Sequence, residues 1–488
     1  MRQNKTVMSN VLWRFLEKFG AEIVTFVVGV ILARLLEPKV YGTIALVTVF
    51  STLLSVFVDS GFGTALIQKK EVDDLDYSTV FWFNMVMSIV VYLVLFFLAP
   101  FIASYYEMPE LKLIVRIQCI QILISGLNNI QSSYVAKNMM FKKFFFSTLT
   151  GTIGSAVVGV AIAYMGGGVW ALVGQTLAKS LFNALVLFFT INWRPKFMFS
   201  FERMKSMFSF GWKLLVSSML NRAYNELRQL IIGKMYSTAD LAYYNRGRSY
   251  PNLVVNQIIT AIDSVLLSAM SKEQKNRENI KNMTRRSISV CTYVMFPMMA
   301  GLAVCSEPLV ALLLTEKWLP AVPYMQIASI ICAFTPMQTA NLNAIKALGR
   351  SDLFLKLEVI KKVYGLIILL LTFRISVMAM AWSMLVTTVL SLLVNSFPNK
   401  KLLDYTFHDQ IKDVFPSLVM TLVMAVVTYS IHFLKLNDWL TLLIQVPLGA
   451  GIYFGLSIMT QNETFTFLFE TVSGMLSKYK FFKKKSEE

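Results

Sequence analysis

Asp74-Leu75-Asp76 sets two carboxylates two residues apart, a spacing that can hold a divalent cation against a sugar-nucleotide diphosphate. The pair stands in a short loop before an apolar run, with no nucleotide-binding pattern around it. There it reads as acids at a helix start, where they meet the positive end of the helix and accept its unpaired N–H groups. His408 and His432 have no identifiable Ser or Cys partner, so no base–nucleophile pair can be assembled on them. Cys119, Cys291, Cys305 and Cys332 are widely spaced in apolar stretches without a C-x-x-C pair, and are expected to pack as small apolar residues. Gly166-Gly167-Gly168 reads as a tight turn and not as a phosphate loop. No metal site and no cofactor are expected. What stands out is basic: Arg14, Lys18, Arg116, Lys179, Lys213, Arg222, Arg228, Arg246, Arg248, Lys361 and Lys362 all fall inside long apolar runs.

Those runs are the elements that must position the cations. Of 488 residues, 56% are hydrophobic and 15% charged, against about 25% charged in a soluble domain. Apolar stretches of about 20 residues recur from Val11 to Met459, and the polar segments between them are too short to form a catalytic domain. The expected fold is an all-α membrane protein of about fourteen transmembrane helices. The net charge of +18 is then topological and is not a nucleic-acid footprint. Every second connection is rich in Lys and Arg: Lys69 and Lys70; Lys137, Lys142 and Lys143; Arg194, Lys196, Arg203 and Lys205; and the run from Lys272 to Arg286. Basic short loops stay in the cytoplasm, which places both termini there and makes the number of spans even. The first apolar run is long, carries Arg14, Glu17, Lys18 and Glu22, and has no small-residue cleavage site, so no cleavable signal peptide is expected.

The chain restarts after the loop at 192–207. Ile31-Leu32-Ala33-Arg34 aligns with Ile231-Ile232-Gly233-Lys234, and Asp59-Ser60 with Asp263-Ser264. The organisation read from this is an N-terminal lobe of six helices over 1–191, the cytoplasmic loop 192–207 and a pseudo-repeated six-helix lobe over 208–398. Two added helices over 399–460 and a basic cytoplasmic tail over 461–488 complete it. The tail mixes phenylalanines with lysines and suits an anionic membrane surface. Parallel repeats place a substrate path at their interface, near the membrane midplane.

Depth sorts the cations, because a charge at a helix centre costs roughly 2.5–3.5 kcal/mol and far less near an end. Arg116 and Lys213 lie near ends, where their stems can carry the charge to the interface. Arg222 lies about 21 Å into its span and Arg246 about 12 Å from the opposite face, at a similar level of a core about 30 Å thick. Arg246 and Arg248 are about 200° apart if helical, so they cannot face one cavity unless Pro251 breaks the helix. Lys18 and Glu22 have the spacing of an ion pair, as do Glu358 and Lys362. The deep acids Glu17, Glu22, Asp59, Glu226, Asp263 and Glu358 are too few to neutralise the cations. A water-filled cationic cavity for an anionic substrate such as a phosphate or diphosphate head group accounts for the surplus, lined by Arg14, Lys18, Lys179, Arg222, Arg246 and Arg248. Asn221, Asn225, Asn256 and Gln257 are candidate sugar contacts, and Asp59 and Asp263 candidate positions for coupling to a proton or sodium ion.

The stretch Ala33-Arg34-Leu35-Leu36-Glu37-Pro38 with Tyr41-Gly42 is followed by Asp59-Ser60-Gly61-Phe62 and Ala65-Leu66-Ile67-Gln68. Next come Asp76-Tyr77-Ser78-Thr79, Phe81-Trp82 and Asn84. Together they resemble the N-terminal signature of the polysaccharide transporter family, the Wzx-type flippases of the multidrug/oligosaccharidyl-lipid/polysaccharide superfamily. Ile231-Ile232-Gly233-Lys234 and Tyr244-Asn245-Arg246 resemble that family's second-half repeat, while Ser268 stands where relatives often have proline. The resemblance implies a bacterial cytoplasmic-membrane transporter, not an enzyme. Such a protein moves undecaprenyl-diphosphate-linked glycan units between leaflets by alternating access, for cell-surface polysaccharide such as lipopolysaccharide O-antigen, exopolysaccharide or capsule. The lipid tail would stay in the bilayer beside spans thirteen and fourteen, and the partners would be membrane lipids, a coupling ion and polysaccharide polymerase or assembly proteins. A multidrug or small-molecule antiporter of the same superfamily is the alternative; cationic drugs would call for net acidity in the cavity, and the deep cations weigh against it.

Overall fold

A computed structural model describes residues 2–59, 62–471, 473 and 474. Among them the regular secondary structure is helical: α1 (Arg2–Leu35), α2 (Pro38–Asp59), α3 (Phe62–Gln68), α4 (Asp74–Tyr105), α5 (Leu111–Gln118), α6 (Ile120–Lys137), α7 (Phe141–Tyr164), α8 (Val169–Thr190) and α9 (Phe201–Met235) come first. They are followed by α10 (Thr238–Lys272), α11 (Arg277–Val304), α12 (Ser306–Leu314), α13 (Val322–Ala333), α14 (Thr335–Ala347), α15 (Ser351–Thr372), α16 (Val377–Leu403), α17 (Phe407–Ser430) and α18 (Asp438–Met459). Among the described residues, ten stretches are long and apolar enough to cross a membrane. The long helices α1, α9, α10 and α15 fall outside that set. With them the architecture is consistent with fourteen spans.

The ends of these helices follow from local chemistry. Asp73 caps α4, accepting from the Asp76 N–H at 2.9 Å while the Asp76 carboxylate returns a bond to the Asp73 N–H at 3.3 Å. The helix-start reading of the Asp74–Asp76 pair therefore holds. Thr406 and Asp409 form the same reciprocal box at α17, and Ser200, Asn276, Ser376 and Asn437 cap α9, α11, α16 and α18. The glycine triplet is the turn between α7 and α8, with Gly166 at φ 76° and Gly168 at φ 52°, conformations that side chains resist. Prolines 100, 251, 297, 398, 416 and 447 lie inside helices, as membrane helices permit when neighbours satisfy the freed carbonyls. α10 stays helical through Pro251.

The chain divides into two compact units, Met1–Ala242 and Tyr243–Glu488. In the first, Phe62, Leu66, Tyr77, Phe81, Ile130, Leu187 and Trp193 form one core and Val28, Leu32, Leu36, Ala171 and Leu172 another. α9 begins at Phe201, capped by Ser200, so the stretch expected as a loop over 192–207 is helical from 201 onward, and the first unit runs past it because α9 lies against α2, α3 and α4. In the second, Ile280, Met295, Phe296, Met337, Leu392, Tyr405 and Val414 pack together, with Tyr293, Met420, Met424 and Tyr453 as a satellite. The outer faces carry exposed apolar side chains such as Phe97, Phe101, Phe189, Leu371 and Val426. Lipid is the solvent such a surface requires, so the chain is a multi-pass membrane protein. All four cysteines are free and buried.

Candidate translocation site

The first unit holds Arg14, Lys18, Lys179 and Arg222. α1 turns Glu17 inward, where it is buried and accepts a hydrogen bond from Thr148 Oγ1 of α7 at 3.2 Å. Lys18, next along the helix, points the other way and is exposed. Arg14 lies on α1 and Asp59 at the end of α2, but their side chains lie outside the described residues. Lys179 is exposed on α8, one turn before Asn183, which ties α8 to Ser147 of α7. Arg222 is half-buried and does specific work between helices: its Nη1 donates to the Thr52 carbonyl at 3.2 Å and to Ser55 Oγ at 3.3 Å, both on α2. Asn221 and Asn225, one turn apart on α9, are exposed.

The second unit holds Arg246, Arg248, Asn256, Gln257 and Asp263. Because α10 is a continuous helix here, the two arginines diverge as their spacing requires. Arg246 lies over the ring of the buried Trp318, 5.1 Å from its centroid. Arg248 donates to the Tyr244 hydroxyl at 2.9 Å with its guanidinium 5.1 Å from the Tyr244 ring. It lines a cavity of about 30 Å³ with Tyr244, Asn252, Tyr324, Cys332 and Met384, room for one water. Asn256 and Gln257 are exposed, and the Asp263 side chain lies outside the described residues. Glu358 pairs with Lys361 at 2.5 Å, three residues on, and not with Lys362 as the spacing suggested; both positions neighbour Glu358 on a helix.

Lys18, Lys179 and Arg248 have no carboxylate within ion-pair range among the described residues. An exposed lysine without a carboxylate partner is costly against lipid unless its stem carries the charge to the interface.

Beside spans thirteen and fourteen, where the resemblance implies a lipid tail, the second unit carries an apolar groove. It runs between α11, α17 and α18 with a volume of about 750 Å³, lined by Pro297, Gly301, Val446, Phe454, Phe465 and Phe469 among others. Gln445 and Thr428 are the polar residues along it, and Gln445 spends its amide N–H on the Thr428 carbonyl at 3.2 Å. The glycines at 301 and 449 are the sequence signal, since each removes a side chain from the groove wall.

Helices of this length with apolar outer faces define a polytopic membrane protein. Residues 31–323 match the family model described as polysaccharide biosynthesis protein, and the chain belongs to that family. It is 25% identical to the teichuronic acid biosynthesis protein TuaB of Bacillus subtilis (strain 168) over 482 residues, 94% of this chain and 97% of the relative. It is 28% identical to the succinoglycan biosynthesis transport protein ExoT of Rhizobium meliloti (strain 1021), covering 67% of this chain and 66% of that one. Its fold is that of the lipid II flippase MurJ in an inward closed conformation, with a TM-score of 0.73 at 16% identity over 93% of this chain and 99% of MurJ.

Proposed function

We propose that the protein moves lipid-linked oligosaccharide or polysaccharide repeat units across the bacterial cytoplasmic membrane by alternating access, for the synthesis of a cell-surface polysaccharide. The observation that carries this reading is the family match over residues 31–323, extended to nearly the whole chain by its likeness to TuaB. The chemistry agrees. An undecaprenyl-diphosphate glycan is anionic at one end and a long hydrocarbon at the other. Lys18, Lys179 and Arg248, which have no carboxylate partner among the described residues, suit the diphosphate and sugar acids, as do the cations Arg14, Arg222 and Arg246, and the apolar groove by α17 and α18 suits the hydrocarbon. Asn221, Asn225, Asn256 and Gln257 are exposed amides suited to sugar hydroxyls. Both termini lie in the cytoplasm in this reading, and two helical lobes move against one another. A proton or sodium ion drives the cycle through Asp59 or Asp263, and a polymerase or assembly protein takes the product.

The test is leaflet accessibility of a fluorescent undecaprenyl-diphosphate oligosaccharide in proteoliposomes. Lys18→Ala and Lys179→Ala are the informative variants, because both side chains are exposed and neither supports packing. A charge-assisted contact to phosphate is worth about 1.5–3 kcal/mol, so each variant should lower translocation by about 10-fold or more at limiting substrate. Efflux of small organic cations without lipid translocation would instead favour the antiporter.

A further inference from the structure

The long helix α9 follows the loop that separates the two expected lobes, yet it is fastened to α4 at both ends and to α2 between them. The fastening begins in the connecting stretch at 191–200, which forms no helix. A slack linker would keep its backbone in water. Here the Lys196 N–H donates to Ser78 Oγ at 3.2 Å and the Ser200 N–H to Thr79 Oγ1 at 3.1 Å, while Trp82 Nε1 donates to the Lys196 carbonyl at 2.9 Å. Ser78 and Thr79 are fully buried, so pulling the stretch away would break three hydrogen bonds and leave both hydroxyls without those donors. Trp193 packs on Tyr77 and Phe81, and Phe197 stacks on Trp82 with ring centroids 4.9 Å apart. Arg203, in the first turn of α9, then bridges Asp73 at 2.5 Å and the buried Asp76 at 2.9 Å, while Lys69 holds the other oxygen of Asp76 at 2.6 Å.

Both ends of α9 are treated alike. At its far end Lys234 pairs with Glu107, just beyond α4, at 3.0 Å, and the Tyr106 hydroxyl donates to the Leu230 carbonyl at 3.3 Å. Midway, Arg222 bonds α2.

We propose that the Asp76-Tyr77-Ser78-Thr79 and Phe81-Trp82 segment is a clasp, and that α2, α4 and α9 travel as one body while cargo crosses. The 191–200 stretch is then a strap and not the hinge. Asp76, Ser78, Thr79 and Trp82 are positioning residues: they touch no cargo, and they set α9 and its Arg222 on the first unit. The word cargo rests on the flippase reading; the mechanical claim does not.

Two cross-links test it. A disulfide between Ser78→Cys and Lys196→Cys locks the strap, and a short bismaleimide between Glu107→Cys and Lys234→Cys locks the far end. Lipid-linked oligosaccharide translocation by the disulfide-bonded protein should equal that of its reduced form, and translocation by the bismaleimide-bridged protein that of the same variant capped with N-ethylmaleimide. Loss of translocation on either cross-link, recovered on reduction for the disulfide, would overturn the proposal, because the ends would then have to part. If the uncross-linked variants move no lipid, the cargo reading fails by itself. The clasp is then judged by spin labels at Lys70→Cys and Lys205→Cys in bilayers: one unchanging distance supports it, and two interconverting distances sink it.

Discussion

A methyl group added at Gly42 measures how tightly the first unit is closed. A Cβ built there stands 1.7 Å from the Thr238 carbonyl oxygen and 2.5 Å from the carbonyl carbon. Carbon–oxygen contacts settle near 3.3 Å, so α2 and the first turn of α10 must part by about 1.6 Å. Both obstacles are backbone, and no rotamer change relieves them. Overpacking costs about 1–3 kcal/mol, and more where the backbone cannot yield. Against this, alanine is about 1 kcal/mol better than glycine inside a helix. The expected net loss for Gly42→Ala is about 2–3 kcal/mol, with a melting shift of roughly 2–4 °C per kcal/mol for a unit of this size. Gly20→Ala is the control, since nothing lies within 4 Å of a Cβ at that position of α1. It should hold or raise stability. Thermal unfolding in detergent, followed by tryptophan fluorescence, reads both. If Gly42→Ala melts with the parent protein or above it, the close crossing of α2 and α10 described here is wrong.

Three further outcomes are expected. Asn341 joins the buried Asn399 and Gln410, accepting from their amides at 2.6 and 3.0 Å, so Asn341→Leu should strand both and cost about 2–5 kcal/mol. Replacing all three by leucine should recover much of that loss in the same melting assay. At the mouth of α4, the Arg203 guanidinium and the Asp76 N–H hold the Asp73 carboxyl down from 3.8 to about 2. A depressed acid stabilises the fold above its unfolded value and loses that contribution as pH falls through the folded one. The melting difference between the parent and Asp73→Asn should therefore be small, constant above about pH 5, and gone by about pH 1. Gly168→Ala should cost about 1–3 kcal/mol through backbone strain alone, since its φ of 52° is unfavourable for a side chain and nothing lies near the added Cβ. An unchanged melting temperature would show that the turn between α7 and α8 relaxes freely.

The apolar runs and their basic punctuation revealed an all-helical membrane chain because lipid permits few alternatives. Local rules also reached the start of α4, since a capping box is written within four residues. Long-range pairing was out of reach. Ser78, Thr79 and Trp82 resemble a family signature, yet their partners lie more than a hundred residues away in a stretch without periodicity. The depth of Arg222 followed from helical rise, but not that its guanidinium would be spent on the backbone of α2. Chain order set α9 beyond the loop at 192–207, whereas its contacts join it to the helices before that loop. Glu358 could reach a lysine three or four residues on, and only packing chose Lys361.

The buried cysteines have a practical consequence. Water-soluble thiol reagents meet none of the four, so a single introduced cysteine is readable without first stripping the native ones. Cys305 is different in one respect, because its neighbours form the wall of the groove between α11 and α18. If the groove holds the hydrocarbon of the cargo, as proposed, that chain would cover Cys305, and slower reaction of the thiol with a bilayer-dissolved maleimide would read the occupancy of the groove.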